Sequence, residues 1–188
     1  MNDIALTSNK GRRTLYTYFR NKEEIYYAVI ESELERLSER MYEVASMDMS
    51  PEQKMLMLIY THLSNIKETV ARNGNLRAEF FRNIWMVEKV RRKFDVSERE
   101  LFRRVMQEGC DKAKFRIEDV NLYADITQYC LKGLEVPYIY GRLGRGLTDV
   151  TSRPIVAGLV RRALGMADNY TGLHEDLERL RKEYPEED

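Results

Sequence analysis

At three places where a long apolar-periodic run begins, a small polar residue stands three positions ahead of a glutamate or glutamine: Asn21 with Glu24, Ser50 with Gln53, and Ser97 with Glu100. That spacing suits the start of a helix. The first side chain accepts from an otherwise orphaned backbone N–H, and the second reaches back to the cap. Long runs with apolar residues three and four apart follow. After Asn21 come Ile25, Ala28, Val29, Leu37, Met41, Val44 and Ala45, with the charged run "ESELERLSER" assigned to a solvated opposite face. After Ser50, with Pro51 as the first helical residue, come Met55, Leu58, Ile59, His62, Leu63, Ile66 and Val70, and Gly74 is the expected stop. A third helix is expected over Leu76, Phe80, Phe81, Ile84, Trp85 and Val87, and a separate one opening at Ser97 through Leu101, Phe102, Val105 and Met106.

The rest of the chain continues the pattern. Leu122, Ile126, Tyr129, Cys130, Gly133 and Leu134 form one apolar stripe, which Pro137 is expected to kink or end. "GRLGRGLTDVTS" is a loop, Ser152 caps a helix with Pro154 in its first turn, and Leu173, Leu177, Leu180 and Tyr184 mark a short amphipathic C-terminal helix. No alternating strand pattern or hairpin turn competes. With only four prolines and ten glycines in 188 residues, the chain is predicted to be all-α. The expected division is a helix-turn-helix module with its connecting helix over 1–47 and a helical ligand-binding and dimerisation bundle over 48–188.

Several functions lose their footing on composition. Cys110 and Cys130 lie far apart without a CxxC, and read as buried cytosolic thiols. The longest apolar runs are too short to span a bilayer, and "MNDIALTSNK" is no signal peptide. The expectation is a cytoplasmic protein without a membrane partner. There is no metal-ligand spacing, nucleophile elbow or phosphate loop. With two histidines, His174 expected exposed, the chain is not read as an enzyme, and no cofactor or metal is expected.

The 31 cationic and 31 acidic side chains cancel, yet between residues 1 and 22 Lys10, Arg12, Arg13, Arg20 and Lys22 oppose Asp3 alone. "NDIALTSNKGRRTLYTYF" has the layout of a helix-turn-helix, with a short helix over "DIALTS", a left-handed turn at Asn9, and a second helix from about Gly11. Leu15 and Phe19, four apart, point inward and leave Lys10, Arg12, Arg13, Tyr16 and Thr17 outward. Arginine bonds bidentately to guanine in the major groove, hydroxyls suit phosphate oxygens, and Lys22 sits where first-turn amides also attract phosphate. The same residues also fit a basic solvated helix whose tyrosines merely pack.

The segment "DIALTSNKGRRTLYTYFRNKEEIYYAVIE" resembles the TetR-type transcriptional regulators, whose pattern reads roughly "DIAKAAGVSKGTLYYYFKSKEELYLAVIE". The match is ungapped over residues 3–31 and shares Ile4, Ala5, Thr14, Leu15, Tyr16, Tyr18, Phe19, Lys22, Glu23, Glu24 and Ala28 to Glu31. The resemblance implies that Leu15 and Phe19 are core, that Tyr16 and Lys22 contact phosphates, and that Lys10, Arg12, Arg13, Thr17 and Tyr18 face the groove or its walls. It implies a homodimer on a double-stranded DNA operator, with a small-molecule effector bound in an all-α domain. Asn9, Lys10, Gly11, Arg12 and Arg13 stand where the family has Gly, Val, Ser, Lys and Gly, so the operator does not transfer from relatives. A helix that the family carries ahead of "DIA" has no counterpart in these 188 residues, and the chain alone is expected to bind DNA weakly.

Candidates in the bundle come from its methionines and aromatics. Tyr60, His62, Phe81, Trp85, Phe102, Met106 and Tyr123 are the candidate pocket residues, each of which also fits as ordinary core. His62, on an apolar helix face, suits a satisfied core histidine better than a ligand group. In the resembled family the last two main helices form the subunit interface, which places Ile126, Cys130, Gly133, Leu134, Ile155, Leu159 and Val160 near it. The same stripes also fit burial within one subunit. The leading expectation is a repressor released from DNA by its effector. The alternative is a helical dimer for ligand sequestration or protein interaction that reads no DNA.

Overall fold

The structure is a computed structural model that describes residues 12–72, 84–143 and 149–166. Among them are six α-helices and no strand: α1 Arg12–Tyr18, α2 Lys22–Ser46, α3 Pro51–Arg72, α4 Ile84–Asp111, α5 Val120–Ile139 and α6 Asp149–Ala163. Helix α3 is the centre of the bundle, packing against α2, α4, α5 and α6. Its buried apolar face is Met55, Leu58, Ile59, Leu63, Ile66 and Val70, together with His62. That is the stripe the three- and four-residue spacing demanded.

Caps form where the small polar residues allow. Asn21 Oδ1 accepts from the Glu24 amide at 2.9 Å, while the Glu24 carboxylate reaches past the cap to the Arg20 amide at 2.6 Å. Ser50 and Gln53 make the reciprocal box: the Gln53 amide donates to Ser50 Oγ, and the Ser50 amide donates to Gln53 Oε1. Ser97 behaves differently. Helix α4 runs unbroken from 84 to 111, and the Ser97 hydroxyl donates back to the Lys93 carbonyl at 3.4 Å. A mid-helix serine can satisfy itself this way without starting a new helix.

Further departures have local causes. Pro137 lies in the last turn of α5, which continues to Ile139. Helix α6 opens at Asp149, so Pro154 falls inside it and the Ser152 hydroxyl meets the Tyr60 hydroxyl at 3.1 Å. The buried face of α5 is Ala124, Gln128, Leu131 and Glu135. Its apolar stripe therefore points away from the core, and Cys130 is exposed rather than buried. The segments around Gly74, residues 76–83 and the C-terminal helix including His174 lie outside the described residues.

The turn after α4 is tied down tightly. The Lys114 amide donates to the Gly109 carbonyl and the Ala113 amide to the Cys110 carbonyl, the paired bonds of a helix-ending motif whose left-handed position is Ala113, φ 54°. Phe115 then turns into the core against Gly109, where a Cβ would lie 2.0 Å from the ring. Helix α6 ends in the same motif at Gly165, φ 62°, and the Arg116 amide donates to the Leu164 carbonyl at 2.9 Å. Ala113→Gly should raise stability by about 0.5–1 kcal/mol, because a left-handed alanine is strained. Gly109→Ala should lower it by about 1–3 kcal/mol through overpacking of Phe115. Chemical denaturation of the two variants checks both signs.

Candidate nucleic-acid interface and ligand cavity

Helix α1, the turn after it and the first residue of α2 carry the cationic segment. Arg12, Arg13, Arg20 and Lys22 lie within eleven residues with no acid among them. Arg13, Tyr16, Thr17, Tyr18, Arg20 and Lys22 are exposed, and Phe19 is half-buried. The Thr17 hydroxyl donates to the Arg13 carbonyl at 3.1 Å, so its oxygen lies against α1 itself. Arg12 is helical, with its side chain, like that of Leu15, outside the described residues, as is all of Lys10. The Asn21 cap passes the chain into α2, 25 residues long, which packs against α3 and α4. Straps fix α2 further. Arg40 donates to Asn65 and Glu68, and Glu33 accepts from Thr69 and Arg72.

Beneath these helices lies a buried ionic cluster. His62 on α3 is fully buried, with Nδ1 2.5 Å from Glu98 of α4 and Nε2 3.0 Å from Glu135 of α5. Arg91 donates bidentately to Glu135 at 2.7 and 2.9 Å. Gln128 donates to Glu98 at 3.2 Å and to the Asp95 carbonyl, and Lys132 to Asp95 at 2.6 Å. On α4 the polar positions 91, 95 and 98, and on α5 the positions 128, 132 and 135, each follow one helical face. Arg91, Lys132 and protonated His62 balance Asp95, Glu98 and Glu135.

Burial alone would push the His62 pKa down. The charge of Glu98 and hydrogen bonds to Glu135 and Glu98 override it and raise the imidazole to about 9. Burial would raise Glu135, but the His62 hydrogen bond and the Arg91 charge hold it down at about 2. Glu98 is likewise held low by His62 against its burial. The cluster sets a pH window. The His62 contribution is complete below its ordinary pKa of 6.5 and fades as pH rises through about 9. The Glu135 contribution is complete above 4.5 and is lost as pH falls toward about 2.

An apolar cavity of about 310 Å³ lies between α3, α5 and α6. It brings together Tyr60 and Tyr123 of the expected pocket with Ile126, Cys130, Leu134, Leu159 and Val160 of the expected interface. Phe102 and Met106 do not line it. Both are fully buried in the main core beside Met41, Met55 and Leu58. His62 belongs to the ionic cluster. Phe81 and the Trp85 side chain lie outside the described residues. Gly133 and Ile155 lie on the surface, Gly133 with open space where a Cβ would stand.

The cluster residues Arg91, Asp95, Glu98, Gln128, Lys132 and Glu135 were not foreseen. Gln128, Leu131 and Glu135 share a helix face with Ala124, but the local spacing does not mark that mixed face as the buried one, because its partners lie on α3 and α4. Among the described residues no group of three histidine, cysteine or acidic side chains is placed to hold a metal ion, and no helix is long and apolar enough to cross a membrane.

Comparison with solved structures shows the fold. The chain is similar to a bacterial regulatory protein in the tetR family from Rhodococcus RHA1, with 18% identity over 89% of this chain and 86% of that one and a TM-score of 0.60. No family model and no curated protein matches the sequence. The fold is the all-helical TetR-like one.

His62→Ala should cost about 3–5 kcal/mol, because Glu98 and Glu135 then face each other without their shared cation. In the parent protein the melting temperature should be highest between pH 4.5 and 6.5 and decline toward pH 9. The variant should lose that alkaline decline. Thermal melts across pH check both.

Proposed function

We propose that the chain is a homodimeric, ligand-responsive transcriptional regulator that binds double-stranded DNA through α1, and that it is a repressor released from its operator by a small molecule. The observation that carries this reading is an exposed cationic helix, on a chain of zero net charge, joined through a capped turn to a long helix in a TetR-like fold. Residues 1–47 serve as the DNA-binding module and 48–188 as the ligand-binding and dimerisation part. Arg12 and Arg13, with Lys10, Thr17 and Tyr18, face the groove, and Tyr16 and Lys22 hold phosphates.

Two copies pair through the outer faces of α5 and α6. Large apolar side chains stand exposed there at helical spacing, Leu122, Ile126 and Tyr129 on one helix and Ile155 and Leu159 on the other. A second copy covers this surface and sets two recognition helices one DNA turn apart. Effector release then follows as a population shift. A ligand that binds one arrangement of the bundle better moves the α2 helices, and with them the spacing of the two α1 helices.

Fluorescence anisotropy on the DNA upstream of the encoding gene tests the reading. Arg13→Ala should weaken specific binding by about 1–3 kcal/mol, more than it weakens binding to random duplex. Lys22→Ala should weaken both alike and reduce the salt slope by about 1. Equal losses on specific and random DNA for both variants would contradict the assignment. Leu159→Glu should give a monomer in sedimentation, and a monomeric parent protein at micromolar concentration would remove the dimer.

A further inference from the structure

The α3–α5–α6 cavity has a composition that selects its occupant. Among the described residues eighteen line it, and none of them carries a charged side chain. An ion placed there would lose its hydration with no counter-charge to replace it. Polar groups are few. The Tyr60 hydroxyl is engaged with Ser152 and the Tyr138 hydroxyl lies 3.5 Å from Ser64, which leaves Tyr123 and Thr127 as further hydroxyl-bearing walls. The volume lies at the lower end of the roughly 300–1,000 Å³ usual for small-molecule sites. Arg153 stacks outside, its guanidinium 5.5 Å from the Tyr60 ring centroid in a neighbouring groove.

The cavity also has an open side. Helix α6 leans on α3, and among the described residues no Cα of α5 comes within 8 Å of one on α6. Ile126 and Leu159 line the cavity yet remain 51% and 63% exposed, so the apolar wall runs out onto the surface, where Tyr129 and Ile155 continue it.

We propose that this cavity binds a neutral, largely apolar small molecule, and that its open side is closed by the same α5–α6 face of a second copy, so that ligand and partner subunit share Ile126, Leu134 and Leu159. The closure rests on the dimeric reading above; the chemistry of the ligand rests on the cavity alone. Ligand occupancy and subunit association then stabilise each other, since filling the cavity supports side chains that the partner also contacts.

A matched pair of probes tests this on the full chain. N-phenyl-1-naphthylamine is neutral, and 8-anilino-1-naphthalenesulfonate is the same skeleton with an anionic group. The neutral probe should bind saturably with a fluorescence rise, and the sulfonate about ten-fold or more weaker. Thr127→Trp, which fills the cavity from α5, should weaken the neutral probe about ten-fold with the circular dichroism spectrum unchanged. In the parent protein, where folding is not in question, saturating neutral probe should slow N-ethylmaleimide alkylation of Cys130, read by mass spectrometry. It should also shift the sedimentation equilibrium toward dimer. Equal affinity for the two probes, or an unprotected Cys130, overturns the site. Protection without a shift in association overturns the shared closure. A protein that binds the neutral probe as described but binds no DNA even at low salt, where a weak complex persists, leaves the site standing and removes the regulator reading. One that binds operator DNA but neither probe does the reverse.

Discussion

The register of the three central helices depends on one buried histidine. His62 is clamped between Glu98 and Glu135, and Arg91 neutralises what would otherwise be a surplus of negative charge. The three helices that contribute these groups cannot slide past one another without separating a buried charge from its partner. Hydrophobic packing tolerates small shifts in register, because apolar contacts are non-directional. A carboxylate hydrogen-bonded on both sides does not. The ionic cluster thus gives the core a defined register, and the apolar residues around it, Leu58, Phe102 and Met106 among them, fill the remaining space.

Seen from that cluster, the two candidate surfaces have distinct mechanical settings. Helix α1 reaches the bundle through α2, which is fastened along its length by Arg40 to Asn65 and by Glu33 to Thr69 and Arg72. The cavity lies on the other flank of α3, where α6 is held by the Arg161–Glu52 ion pair and by the Arg116 amide bond to Leu164. Helix α3 packs against α2 on one flank and against α6 on the other. Any displacement of α6 toward or away from α5 is met by α3 before it reaches α2.

The legibility of the sequence followed the chemistry of each face. The α3 stripe could be read residue by residue because its buried face is almost wholly apolar. On α5 the same rule marks an apolar stripe that fits either a subunit interface or burial within one subunit, and it does not identify the interior face. Ala124, Gln128, Leu131 and Glu135 are buried because distant partners on α3 and α4 satisfy the polar ones, and no local pattern carries that information. Ile126, Tyr129 and Leu134 are apolar yet outward. Ser97 and Glu100 had the spacing of a helix start, but a serine within an established helix can bond back to the preceding turn. Helix α1 was legible because charge, aromatics and turn residues coincide in a few adjacent positions. The cavity mixes two expectations: the aromatic pattern proposes Tyr60 and Tyr123 as pocket, whereas the resemblance places its other wall at an interface.

The ionic cluster has a consequence for how this sequence can diverge. Its charges balance across three helices, so a substitution at one member leaves an orphan at another. Single replacements there are disfavoured, while the apolar positions nearby drift one at a time. Relatives that keep the fold should therefore divide into two kinds, those retaining the whole set at the positions of His62, Arg91, Glu98 and Glu135, and those in which all four have become apolar together.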